Sequence, residues 1–183
     1  ADGGEWIECR ILSSRERTNP WMQESSNKII QQGEIVSFDT DMVGPYGYCA
    51  DISRTFVCGN IFNDNQKNLY SMAVNQINHN SSLIKDGTTF KEFIEKSWKL
   101  PKEYYGNRYS VMVHGIGLCD EWPSIRYPTD GGDKGGIFQK NMTITVESYI
   151  GKVGGKEGVK LEQQYLVGQN GLELMSHHPL EDI

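Results

Sequence analysis

Acidic side chains set inside otherwise apolar β-strands constrain this chain more than any other feature. The run 35–43, Ile-Val-Ser-Phe-Asp-Thr-Asp-Met-Val, favours extended backbone through its branched and aromatic residues, yet it carries Asp39 and Asp41. Side chains alternate faces along a strand, so these two carboxylates share one face. Gly44-Pro45-Tyr46-Gly47 reads as a hairpin turn and Tyr48 to Val57 as the returning strand, whose pairing could bring Asp51 close to the first two acids. Unit charges about 4 Å apart repel by roughly 4 kcal/mol at an effective dielectric near 20, so the cluster needs a cation. Arg54 and Lys28 are the nearest basic residues in sequence, but a pair of divalent metals neutralises three carboxylates more completely. The competing reading makes each aspartate a turn residue or part of a solvated strand face.

The remaining segments alternate between strand, helix and glycine-rich turn. Trp6 to Leu12 reads as a strand ended by the loop at Thr18-Asn19-Pro20, and Gly33-Glu34 as a turn. From Asn63 to about Ile84, apolar residues at Leu69, Met72, Ala73, Ile77 and Leu83 approximate helical spacing, with Asp64 as cap. Thr88 opens a second, shorter helix carrying Phe90, Phe93, Ile94 and Trp98. Tyr109 to Val113 is a β-branched run that delivers His114 into the turn Gly115-Ile116-Gly117. Beyond the glycine-rich loop Gly131 to Gly136, Met142 to Tyr149 and Lys160 to Val167 read as two strands joined through Gly151 to Gly158. This order predicts one α+β domain with a mostly antiparallel sheet and no internal repeat.

Glu147 and Glu162 repeat the opening theme, each an acid in an apolar strand. An exposed strand face is the alternative for both, and a structural role is the alternative for His114. Taken together, the order Asp, Asp, His, Glu, Glu, each beside a glycine turn, suits Mn, Fe, Co or Zn in a bridged pair held by oxygens and a single imidazole. His177-His178 read as an uncommitted polar tail before Pro179.

Composition narrows the setting. The 183 residues, 37% of them hydrophobic, suffice for one sizeable core. A net charge of -6 without a run of Lys and Arg argues against a nucleic-acid partner. No stretch approaches the roughly 18 apolar residues of a membrane span, and residues 1–30 lack signal-peptide features, so no membrane role and a cytoplasmic location are expected. Cys9, Cys49, Cys58 and Cys119 lack paired spacing and read as reduced thiols. The start at Ala1 suggests a piece of a longer protein.

The motifs Asp-Thr-Asp, Gly-Tyr-Cys-Ala-Asp-Ile-Ser-Arg-Thr-Phe, Val-His-Gly-Ile-Gly, Thr-Val-Glu-Ser and Lys-Leu-Glu resemble, in order and context, those of the pita-bread fold shared by methionine aminopeptidase, prolidase, aminopeptidase P and creatinase. The resemblance spans nearly the whole chain. It implies a curved, mostly antiparallel sheet with helices on its outer face, forming over residues 1–183 a catalytic domain whose relatives carry a further N-terminal domain. It also implies two divalent metal ions, bridged by Asp51 and Glu162, with Asp39 or Asp41 completing one and His114 and Glu147 the other.

Two positions depart from the peptidase pattern. The usual first metal aspartate falls at Thr40, flanked by Asp39 and Asp41, and the second peptidase histidine is missing from Gly-Leu-Cys-Asp-Glu-Trp-Pro, which carries Asp120 instead. Both departures resemble one branch of the fold, the metal-dependent dimethylsulfoniopropionate (DMSP) lyases. That branch implies Asp120 as the catalytic base of a β-elimination giving dimethyl sulfide and acrylate, a small zwitterionic substrate, iron as the metal (with Mn, Co, Zn or Ni as alternatives) and a homodimer of the full-length protein. Aromatic faces at Tyr109, Trp122 or Tyr127 could hold the sulfonium by cation–π attraction. Loop hydration remains the alternative for Asp120, and packing beside Pro123 the alternative for Trp122. The other functional readings are a dimetal Xaa-Pro peptidase and a metal-free binding protein on the same fold.

Overall fold

The computed structural model describes residues 3–59, 61–132 and 134–180; Ala1, where the sequence reading placed the start of a fragment, lies outside them. Four short or long strands open the chain: β1 (Trp6–Ile7), β2 (Ile11–Ser14), β3 (Ile35–Val43) and β4 (Cys49–Val57). Three helices follow, α1 (Asp64–Ser82), α2 (Phe90–Lys96) and α3 (Lys102–Tyr105), and then β5 (Val111–Gly115), β6 (Ser124–Arg126), β7 (Thr143–Gly151), β8 (Gly158–Val167) and β9 (Leu172–Leu174). The single strand expected over Trp6 to Leu12 is two, β1 and β2, which pair with opposite ends of β3.

The hairpin β3–β4 forms as its sequence predicts, with Asp41 opposite Asp51 and Asp39 opposite Ser53. Tyr46 takes a positive φ of 64° to close its turn. The second sheet runs β6-β5-β7-β8-β9, all antiparallel. The sheets meet where β4 lies along β8. There Ser53 Oγ donates to Glu162 Oε2 at 3.0 Å, Thr55 Oγ1 to the Lys160 carbonyl at 2.7 Å and Arg54 Nη1 to the Glu162 carbonyl at 2.6 Å.

Period-two alternation decides what each face of the second sheet does. Ile144, Val146 and Ile150 of β7, with Val159, Leu161, Tyr165 and Val167 of β8, face the helices and build the core with Phe90, Phe93, Leu69, Tyr70, Ala73 and Ile77. Their strand neighbours Thr145, Glu147, Lys160 and Glu162 therefore point to the other side. Helix α1 packs over β7 and β8. Its N-cap is Asn63 rather than the expected Asp64, because Asn63 Oδ1 accepts from the Gln66 backbone N–H while Gln66 Oε1 accepts from that of Asn63. A second box of this kind places the α2 cap at Thr89, one residue beyond Thr88. No described helix is long and apolar enough to cross a membrane.

Candidate metal centre

The two hairpins bring their acids to one point. Glu147 and Glu162 are cross-strand partners in β7 and β8, and the β4–β8 seam sets Asp39, Asp51 and Ser53 beside them. His114, at the end of β5 opposite Thr145, reaches in from the far strand. Its Nε2 stands 3.4 Å from Asp51 Oδ2, 3.3 Å from Glu147 Oε1 and 3.3 Å from Glu162 Oε1. Ligand atoms of Asp39, Asp51 and Glu162 lie within 4.8 Å of one another, as do those of His114, Glu147 and Glu162. Asp41 stands at the margin, half-buried, and accepts from Cys9 Sγ at 3.4 Å. All six residues singled out as ligands in the sequence thus converge.

The residue that sequence reasoning missed is Lys160. Neither basic residue named for charge relief serves: Lys28 pairs with Glu34 at 2.5 Å, and Arg54 donates to the carbonyls of Ser53, Glu162, His178 and Pro179. Lys160 Nζ instead lies 2.6 Å from Glu147 Oε2, 3.1 Å from Glu162 Oε2 and 3.8 Å from Asp39 Oδ2, and donates to Ser53 Oγ at 2.7 Å. The cue was present, since Lys160 and Glu162 are two apart in one strand and so share a face.

One ammonium cannot satisfy five acids. Asp51 Oδ1, Glu147 Oε1 and Glu162 Oε1 are buried oxygens with no hydrogen-bond partner among the described residues. Buried carboxylate oxygens without donors are costly, and a hard divalent cation is the partner their chemistry fits. Burial and mutual repulsion shift these groups away from their ordinary values. Burial, reinforced by Glu162, pushes the Asp51 carboxyl up to about 10 against the opposing His114 contact. Burial also raises Asp39 to about 6 despite Lys160, and raises Glu147 and Asp41. At Glu162 burial is outweighed by Lys160 and His114, which hold its carboxyl low. His114 is pulled well above its ordinary value: burial lowers it, but contacts with Asp51, Glu147 and Glu162 prevail.

Asp120 is carried back over the other edge of the imidazole. Its Oδ1 lies 4.0 Å from His114 Nδ1, and burial, with Asp41 adding, raises its carboxyl to about 6 against the pull of His114. Gly115 makes this return possible. Its N–H donates to the Pro123 carbonyl at 2.9 Å, and a Cβ at position 115 would overlap the Trp122 carbonyl.

The aromatic candidates separate. Tyr109 stands at the site, donating to Glu121 Oε1 at 3.1 Å and stacked at 4.3 Å on Trp21, a wall residue that the sequence did not mark out. Trp122 is 57% exposed, so it is not packed in the core, and the Lys134 ammonium lies over its ring at 5.4 Å. Tyr127 is corrected: it is buried on the helix side and accepts from Gln76 Nε2 at 2.7 Å, too committed to hold a substrate cation. The His177-His178 tail is also tied down, with Arg54 donating to the His178 carbonyl and Phe56 against its ring.

Comparison with known proteins fits this geometry. The chain is 41% identical over 98% of its length to the "Dimethylsulfoniopropionate lyase DddP" of Roseovarius nubinhibens, and 38% identical to that of Roseobacter denitrificans over the same share. It spans 41% of the length of either relative. The solved structure of prolidase from Pyrococcus furiosus matches 94% of the chain and 50% of its own with a TM-score of 0.79 at 28% identity, which makes the α+β architecture the pita-bread fold. The model of metallopeptidase family M24 matches residues 2–169. The chain therefore belongs to metallopeptidase family M24.

Proposed function

We propose that this chain is the catalytic part of a metal-dependent DMSP lyase, cleaving its substrate to dimethyl sulfide and acrylate. The observation that carries the reading is Asp120, a carboxylate over His114 where the peptidases of this fold carry a second histidine. Its support is the identity to the two DddP relatives.

Asp39, Asp41, Asp51, His114, Glu147 and Glu162 would hold two divalent ions, with iron the expected metal. When bound, these supply Lewis acidity that stabilises negative charge on the substrate carboxylate. Asp120 accepts the proton from the carbon next to that carboxylate; the electron pair forms the carbon–carbon double bond as the carbon–sulfur bond breaks. The sulfur leaves with its bonding pair as neutral dimethyl sulfide, so no general acid is needed. Tyr109 and Trp21 wall the site, their stacked rings set against the Lys160 ammonium.

A dimetal Xaa-Pro peptidase is the second reading, favoured by the likeness to prolidase. Protein expressed at the full length of its reading frame and supplied with Fe²⁺ or Mn²⁺ should release dimethyl sulfide from DMSP and leave an Xaa-Pro dipeptide intact. Dipeptide hydrolysis without dimethyl sulfide would establish the peptidase instead.

A further inference from the structure

Lys160 is only 1% exposed, yet it lies among acids that the metal reading already occupies. Its ammonium engages the Oε2 atoms of both Glu147 and Glu162, while the Oε1 atoms of the same residues face His114 and lack hydrogen-bond partners among the described residues. The Trp21 and Tyr109 rings stand 5.0 and 5.4 Å from Nζ, so aromatic faces rather than water cover its remaining side. The lysine thus sorts the oxygens of the two glutamates into one set held by protein and one set left open.

The charge count is equally specific. Asp39, Asp41, Asp51, Glu147 and Glu162 against Lys160 leave four negative charges, which two divalent cations cancel when His114 is a neutral ligand. Asp120, with an oxygen within 4.8 Å of ligand atoms of Asp51 and His114, is counted apart from this set because it is the base rather than a ligand. Without Lys160 the same five carboxylates would suit a mixed divalent–trivalent pair.

We propose that Lys160 is a built-in cation that selects a pair of divalent ions: it fixes the charge of the centre at the value such a pair neutralises and holds the outer oxygens of Glu147 and Glu162 so that the inner ones stay free. It is a positioning residue. This rests on the metal-centre reading and extends it to which oxidation states the centre accepts. A fixed positive charge a few ångströms away repels each ion in proportion to that ion's charge, so its removal favours trivalent over divalent metal.

The test compares wild type, K160M, K160Q and K160R. It reads Mn²⁺ stoichiometry by native mass spectrometry, melting of the metal-free protein, and the Fe³⁺/Fe²⁺ midpoint potential after iron loading. Wild type should bind two Mn²⁺. K160M should melt about 10 °C lower without metal, because it leaves buried acids without their cation. Its potential should drop by at least about 59 mV, a tenfold gain for the ferric state. K160R, which keeps the charge, should stay near the wild-type potential. If K160M does not fold without metal, K160Q, which keeps a hydrogen-bond donor but not the charge, carries the same test, its potential falling by a similar amount. Unchanged potentials in K160M and K160Q overturn the role given to Lys160. Failure of the wild type to bind Mn²⁺ overturns the metal centre itself, and the charge match with it.

Discussion

Asp120 and Gly115 show how single residues shape the site. The loop that returns Asp120 over His114 depends on the missing side chain at position 115, because the Trp122 carbonyl occupies the space a Cβ would need. Gly115→Ala should force that loop outward and cost about 1–3 kcal/mol, as overpacking of a closed contact does. Thermal unfolding measures the cost, and turnover should fall further than stability alone explains because Asp120 moves with the loop. The acids themselves were legible in the sequence, each being anomalous in an apolar strand. Lys160 is not legible from distance along the chain, because the strand period and the β4–β8 seam decide which charges meet in space. Trp21 has no local signal in the sequence; its stacking on Tyr109 and its ring 5.0 Å from Lys160 Nζ place it at the site.

At the scale of elements, segments of five or more residues are legible in the sequence and those of two to four are not. Helix α1 and the strands β3, β4, β7 and β8 carry full patterns, whereas α3, β6 and β9 have three or four residues, too few for any period to emerge. The caps of α1 and α2 each differ by one residue from expectation, in opposite directions, since a reciprocal side-chain box decides where the helix starts. Asn63→Ala should cost about 1 kcal/mol, a fall of roughly 2–4 °C in melting temperature by calorimetry.

The turn entering β3 has its own electrostatic anchor in Glu34. Burial pushes this carboxyl up, but the Lys28 ammonium at 2.5 Å, the Gln31 backbone N–H and Arg15 at 3.6 Å outweigh it and hold the carboxyl below its usual value of 4.5. A lowered folded-state value means that this stabilisation is complete above the unfolded value and is lost as pH falls below about 4.5 toward the folded one. Lys28→Met should therefore cost about 1–2 kcal/mol at pH 7 and progressively less on acidification, which urea unfolding at pH 7 and pH 3 resolves.

On the scale of the whole molecule, two antiparallel sheets each contribute part of one centre. The first supplies aspartates, and the second supplies glutamates, histidine and lysine. Metal would consequently bridge them. Adding Mn²⁺ at about a hundredfold over its dissociation constant should raise the melting temperature by roughly 5–10 °C per site, and a chelator should reverse the gain. The meeting of the sheets was not readable from periodicity, which describes each strand alone; the resemblance of the motifs carried that part.

The release of dimethyl sulfide by Asp120→Asn relative to wild type, at equal metal content, separates a base at position 120 from a loop acid. Loss of the base should lower the rate by about 10²–10⁴-fold while both proteins retain two metal ions. A variant that releases dimethyl sulfide at the wild-type rate with its metal intact would show that Asp120 is not the base.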